Sequence, residues 1–101
     1  MPTYQFPSLV REERENLLQN DADFRQAIYN DMLDFASKIQ EIITGNGNTI
    51  DQAELDNFSD DEKRDIVTHN VAFLEAMLNY DVWTTEDMTA INNAITDGNS
   101  Y

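Results

Sequence analysis

The stretch over residues 22–43, ADFRQAIYNDMLDFASKIQEII, decides the fold of this chain. Its apolar residues follow one another at steps of three and four, which is the period of one face of an α-helix. This stripe consists of Phe24, Ile28, Met32, Phe35, Ile39 and Ile42, widened at its sides by Tyr29, Leu33, Ala36 and Ile43. A stripe this wide exceeds the seam of a coiled coil. The pattern therefore predicts a central helix, roughly 33 Å long, inside a helical bundle.

Helix-start and helix-stop residues divide the rest of the chain. Besides 22–43, they predict helices over residues 8–20, 51–57, 60–79 and 84–96. Ser8 is the predicted N-cap of the first helix, and Gly45 begins the turn that ends the central one. Gly98 is predicted to end the last helix. We expect one all-α domain over residues 1–101, a bundle of four main helices plus one short helix. An extended arm is predicted over residues 1–7 and a polar tail over residues 98–101.

Two capping boxes are predicted in the second half of the chain. Asp51 with Glu54 begins the short helix, and Ser59 with Glu62 begins the next one. The buried face of the 60–79 helix is predicted to comprise Val67, Val71, Leu74 and Leu78, broadened by Ile66, Phe73 and Met77. The side of the central helix opposite its stripe is predicted to face water, with Asp31, Asp34 and Glu41.

Charge is the most unusual feature of the composition. Six Lys and Arg stand against twenty Asp and Glu, a net charge of -14 in 101 residues. Such a field repels nucleic acid and anionic membranes, so we expect no direct nucleic-acid binding and a partner with a basic surface. The chain has no Cys, no basic-then-apolar leader and no apolar run of membrane-spanning length. We expect it to be soluble and cytoplasmic.

The segment over residues 45–55, GNGNTIDQAEL, resembles the latter half of an EF-hand calcium loop. The resemblance implies calcium ligands, for which Asp51 and Glu54 are the candidates. With Glu54 at the bidentate position, however, the leading ligand positions fall on Ile43, Gly45 and Gly47, which offer no side-chain oxygen. A plain connection between two helices accounts for the same residues.

His69 is the only histidine and offers a second candidate metal site. Asp65 lies one helical turn before it and Glu62 a further turn back, so the three share nearly one face. Bundle metal sites combine Glu-x-x-His pairs from two helices, and no Glu-x-x-His occurs in this sequence. A solvated polar stripe accounts for them as well. We expect no metal and no cofactor.

The candidate partner-binding residues are Glu75, Asp81, Trp83, Glu86 and Asp87. They lie in the part of the chain after Arg64 that contains acids and no Lys or Arg. A Trp in this position either anchors a partner or closes the core at a helix corner. No nucleophile elbow, phosphate loop or zinc motif is present, so we expect no enzyme activity.

Three hypotheses about function follow. The first is a non-catalytic, acidic protein-interaction module that binds a basic surface. A sharper version is a DNA-mimicking inhibitor of a nucleic-acid-binding protein, because small viral inhibitors of that kind resemble this chain in charge and size. The third is a degenerate EF-hand-like or carboxylate metal-binding protein. A homo-oligomer is also possible, since the first helix has a thin apolar face.

Overall fold

The computed structural model describes residues 11–101, and within that range every regular element is a helix. The helices are α1 (Arg11–Asn20), α2 (Ala22–Thr44), α3 (Gln52–Asn57), α4 (Asp60–Leu78) and α5 (Thr89–Asn99). The predicted all-α bundle with one short helix is therefore confirmed. The predicted arm over residues 1–7 and the Ser8 cap lie outside the described residues.

Helix α2 is the packing axis of the bundle, because it contacts α1, α4 and α5. Helices α4 and α5 also contact each other, so α2, α4 and α5 enclose one core. The α2 side chains that enter this core are Ile28, Met32, Ala36, Ile39 and Ile42, all of them buried. Phe24 and Phe35 pack half-buried at its edge. The predicted stripe is thus the face that α2 buries.

Side-chain contacts fix the directions of the helices. Phe35 of α2 meets Phe73 of α4 edge to face, with ring centroids 4.8 Å apart. Gln40, further along α2, donates a hydrogen bond of 2.8 Å to the carboxylate of Asp97 near the end of α5. Tyr29, near the start of α2, donates one of 2.6 Å to the carbonyl of Asp87, just before α5. Helix α5 therefore runs parallel to α2.

The buried face of α4 differs from the prediction at one position. Val67, Val71, Leu74 and Met77 are buried as expected, but Leu78 is 36% exposed. The reason is that α4 ends at Leu78, and the chain then turns back with Tyr80 and Val82 buried. Those two side chains close the core, so Leu78 remains on the outer side of α4.

The capping predictions succeed for α4 and fail for α3. Ser59 and Glu62 form the complete capping box, with bonds of 2.9 and 3.1 Å between each side chain and the other's main-chain N–H. The Asp51 side chain makes no cap bond to α3. Instead, the Gln52 side chain accepts from Gly47 N–H at 2.8 Å, so the side chain that follows Asp51 organises this turn.

The last helix begins later and ends later than predicted. It starts at Thr89 rather than at residue 84, with Met88 at the N-cap position and no side-chain cap bond. The Asp87 carboxylate accepts a hydrogen bond of 3.0 Å from the Thr89 N–H and so holds the turn that precedes the helix. The helix continues through Gly98 to Asn99, so Gly98 does not end it and residues 98–101 are only partly a tail. Gly98 has a packing role instead.

Gly98 lies where α5 packs closely against α4 and α2. A Cβ atom on Gly98 would lie 2.5 Å from Val71 Cγ2 and 3.3 Å from both Ile39 Cγ2 and Val67 Cγ1. These atoms belong to α4 and α2, and β-branched side chains have few alternative rotamers in a helix. The missing side chain therefore sets how closely α5 packs onto the other two helices.

We expect Gly98→Ala to destabilise the protein by about 1–2 kcal/mol, since overpacking outweighs the roughly 1 kcal/mol that Ala gains in helix propensity. Urea unfolding measures the change. Asn93→Ala, at an exposed position of the same helix, is the control and should be neutral or stabilising. In a Val71→Ala background, Gly98→Ala should lower the free energy of unfolding by less. A stabilising Gly98→Ala in the otherwise unchanged protein would contradict this packing.

Candidate interaction surface

The connection between α4 and α5, residues 79–88, contains most of the predicted partner-binding residues. Within this connection, the side chains of Tyr80 and Val82 are buried. The Trp83 indole N–H donates a hydrogen bond of 2.9 Å to the Met77 carbonyl, and its ring lies 6.4 Å from that of Tyr29. Trp83 is half-buried, so it satisfies a carbonyl at the end of α4 and still exposes part of its ring.

Glu86 is held inside the protein by Arg25 of α2. The Arg25 Nε lies 3.1 Å from Glu86 Oε1, and the Glu86 side chain is only 11% exposed. Burial raises the pKa of Glu86, but main-chain N–H groups of Glu86 and Thr85 and the Arg25 guanidinium together lower it. The same guanidinium donates to the Leu18 carbonyl at 2.8 Å. Arg25 thus joins α1, α2 and the connection.

The other predicted residues occupy three different environments. Asp87 is exposed in the turn before α5, and hydrogen bonds from the Thr89 main chain and side chain lower its pKa. Asp81 is exposed in the connection itself. Glu75 lies on α4 and lines the groove between α4 and α5. The structure therefore brings four of the five residues into one connection and separates Glu75 from them.

The start of α1 adds acids that were not predicted. Arg11 donates a hydrogen bond of 2.8 Å to the Asn79 carbonyl, and its guanidinium lies 4.5 Å from the centre of the Tyr80 ring. Exposed Glu12 and Glu13 follow Arg11 in the first turn of α1, and exposed Asp81 follows Tyr80 in the connection. We call Glu12, Glu13 and Asp81 the acidic end.

Replacing Arg25 tests how the connection is held. We expect Arg25→Met to cost about 2 kcal/mol of stability, because a buried carboxylate loses its cation and the Leu18 carbonyl loses a donor. Lys38→Met is the matched control: Lys38 pairs with Asp34 at 2.9 Å on one helix surface. Its loss should cost less than about 0.5 kcal/mol. Equal effects in chemical denaturation would show that the Arg25 contacts do not stabilise the connection.

The candidate metal ligands are not assembled. Within residues 11–101, no three His, Asp or Glu side chains lie together in a way that could hold an ion. Glu62 belongs to the capping box, and its hydrogen bonds with the main chain and side chain of Ser59 lower its pKa. His69 donates from Nδ1 to the Asp65 main-chain carbonyl at 2.7 Å, not to its carboxylate. Asp51 and Glu54 are exposed.

The burial of Glu41 differs from the prediction, as that of Leu78 does. Glu41 was expected in water but is only 6% exposed, at the end of α2. Its Oε1 accepts from the N–H groups of Asn48 at 2.6 Å and Ile50 at 2.9 Å. Its Oε2 accepts from the hydroxyl groups of Thr49 at 2.6 Å and Ser37 at 2.8 Å. One carboxylate thus satisfies four donors.

The residues around Glu41 form an anion site that is filled by the protein itself. Burial raises the pKa of Glu41, but the hydrogen bonds from Thr49, Ile50, Asn48 and Ser37 outweigh it and lower the pKa to about 2. Donors that converge in this way bind a negative charge. The loop with the EF-hand resemblance therefore directs hydrogen-bond donors at a carboxylate, whereas a cation site directs oxygen acceptors at a metal ion.

One signal in the sequence points to Glu41. The last turn of α2 contains no basic residue. An acid at this end of a helix lies against the negative end of the helix dipole, so its own charge is unfavourable there. An acid in such a place needs donors from elsewhere, and the following loop supplies them. The pattern marks Glu41 as unusual without identifying its partners.

Glu41 makes the stability of the protein depend on pH in a defined window. An unfolded glutamate binds a proton near its ordinary value of 4.5, whereas folded Glu41 does so only near 2. Its contribution is therefore complete above pH 4.5 and is lost as the pH falls towards 2. The lowered pKa corresponds to about 3 kcal/mol.

We expect Glu41→Gln to destabilise the protein at pH 7 by about 1–3 kcal/mol, because the amide nitrogen faces two hydroxyl groups that donated to Oε2. Urea unfolding from pH 7 to pH 2.5 measures the difference between the wild type and the variant. That difference should shrink below pH 4.5. Taking the difference cancels the pH response of the other acids. If the difference in unfolding free energy between the wild type and the variant stays constant down to pH 2.5, the lowered pKa of Glu41 is contradicted.

No family model matches the chain, and neither the curated proteins nor the solved structures yielded a match to it. Among the helices of residues 11–101, none combines the length and the apolar character needed to cross a membrane. The geometry of the site is therefore what supports a function.

Proposed function

We propose that this protein is a non-catalytic, acidic interaction module of the cytoplasm that binds a basic protein surface through its acidic end. The observation that carries the proposal is how few acids are neutralised internally. Residues 11–101 contain three ion pairs: Arg25 with Glu86, Lys38 with Asp34, and Arg64 with Asp61. Other acids are used as caps or in the Glu41 site. A large uncompensated charge still remains on the surface.

The uncompensated acids are exposed, and their carboxylates make neither a hydrogen bond nor an ion pair within residues 11–101. They are Glu12, Glu13, Asp23, Asp31, Asp51, Glu54, Asp60, Asp65, Glu75 and Asp81. Exposed carboxylates of this kind attract a cationic partner and raise its association rate without making a fixed contact in the free protein.

The acidic end is the best candidate within this surface because its backbone is fixed. The contacts of Arg11 with Asn79 and Tyr80 hold α1 against the connection, and the Trp83 bond to Met77 holds the connection itself. Carboxylates on a fixed backbone lose little conformational freedom on binding. The exposed part of the Trp83 ring offers an apolar contact on the same connection.

Affinity capture from a lysate of the natural host tests the proposal. The baits are the wild type, Glu12→Gln/Glu13→Gln/Asp81→Asn, and a control with the same change in charge, Asp31→Asn/Asp51→Asn/Glu54→Gln. We expect a basic protein that the wild type and the control retain and that the first variant binds about tenfold more weakly. Far-UV circular dichroism verifies that all baits are helical. Binding that is equal for all three would contradict a role for the acidic end.

A second stage tests the sharper hypothesis of DNA mimicry. If the captured protein binds nucleic acid and duplex DNA releases it, the module competes for a DNA-binding surface. If duplex DNA has no effect, the partner uses its basic surface for another purpose. In both cases added salt should weaken binding, because attraction between opposite charges is screened.

A further inference from the structure

The outer side of α4 and α5 differs chemically from the rest of this acidic protein. A shallow groove runs between the two helices, and its lining contains one basic and one acidic side chain, Arg64 and Glu75. Leu78 and Tyr101, the large apolar side chains that residues 11–101 expose most, at 36% and 47%, both line it. We call this the α4–α5 face.

The groups on this face are arranged symmetrically about its centre. Arg64 and Glu75 lie about three helical turns apart, roughly 16 Å, on one side of α4. Between them lie the small side chains of Thr68 and Ala72. Tyr101 lines the groove beside Arg64, and Leu78 lines it beside Glu75. Each end of the face therefore has one charged and one apolar group.

We propose that the α4–α5 face is the interface of a homodimer, in which α4 packs antiparallel against α4 of a second copy. A two-fold axis at the midpoint between Thr68 and Ala72 places Arg64 opposite Glu75 of the partner subunit. It also places Glu75 opposite Arg64 of the partner subunit. The same axis brings Leu78 towards Tyr101 of the partner subunit. Within one copy the exposed Arg64 pairs with Asp61 at 3.3 Å. In the dimer it also meets Glu75 of the partner subunit, and both exposed apolar groups are then paired, as a self-complementary interface requires.

A second copy fits this face better than a basic partner does. The lining residues are together neutral, whereas the chain has a net charge of -14. Two copies with that charge repel each other, so they can meet most easily where the surface charge cancels. Small residues in the middle of α4 also let two helices approach closely. The dimer does not depend on the proposed function, because the acidic end is a separate set of residues.

The two proposals respond to salt in opposite ways. Two subunits of charge -14 repel each other through the solvent, and added salt screens this repulsion, so it should strengthen the dimer. Added salt should weaken the binding of a basic partner. A failure of one proposal is therefore distinguishable from a failure of the other.

Sedimentation velocity of the full chain over a range of protein concentrations tests the dimer. The wild type should associate reversibly, more strongly at high salt. Arg64→Glu and Glu75→Arg should each weaken association by at least about tenfold. The reason is that each substitution places like charges opposite one another in both of the symmetry-related contacts. The double variant should recover it. Recovery also shows that the single variants failed at the interface rather than in folding.

The two single variants change the net charge in opposite directions, so a general charge effect cannot weaken both. Asp31→Arg, on α2, carries the same charge change as Glu75→Arg and should leave association unchanged or slightly stronger. Leu78→Ser should weaken it, with helicity retained by circular dichroism. A monomeric wild type at every concentration and salt level would overturn the proposal. So would a double variant that stays as weak as the single ones.

Discussion

Removing the apolar stripe of α2 from water is the constraint on which the rest of the structure depends. One helix cannot cover so wide a stripe, so three helices pack around α2, with α4 and α5 forming the two long walls. Gly98 lets α5 lie directly against both other helices. The two longer connections join α2 to α3 and α4 to α5. Each must turn the chain while its polar groups remain hydrogen-bonded.

Each of these connections is held by a charged side chain of α2. At the C-terminal end of α2, Glu41 accepts four hydrogen bonds, three of them from the following loop. Near its N-terminal end, Arg25 binds Glu86 and the end of α1. Buried charges are tolerated only with full hydrogen bonding, so each one fixes the geometry of the chain around it. The helix at the packing axis of the bundle therefore also positions the loops.

The acidic composition separates into three physical roles. Some accept hydrogen bonds from main-chain N–H groups at helix starts, as Glu62 and Asp87 do. Others have a partner in the protein: Glu41 and Glu86 in its interior, and Asp34, Asp61 and Asp97 on its surface. The exposed acids whose carboxylates have no partner within residues 11–101 give the molecule its long-range field. Against this background the neutral α4–α5 face stands out, so charge divides the surface into a region suited to a cationic partner and a region suited to a second copy.

The sequence by itself determined the helices and the central stripe, because helical periodicity and caps are local properties of neighbouring residues. It therefore predicted the burial of Ile28, Met32 and Ile39 and the capping box at Ser59. Only the tertiary structure decided the environments of Glu41, Leu78 and Gly98. Glu41 is buried because a loop supplies its donors, Leu78 is exposed because Tyr80 and Val82 close the core, and Gly98 is a contact rather than a helix end. Glu41 and Leu78 depend on how the following loop folds back, and Gly98 depends on helices distant in the chain, and helical periodicity contains no information about either.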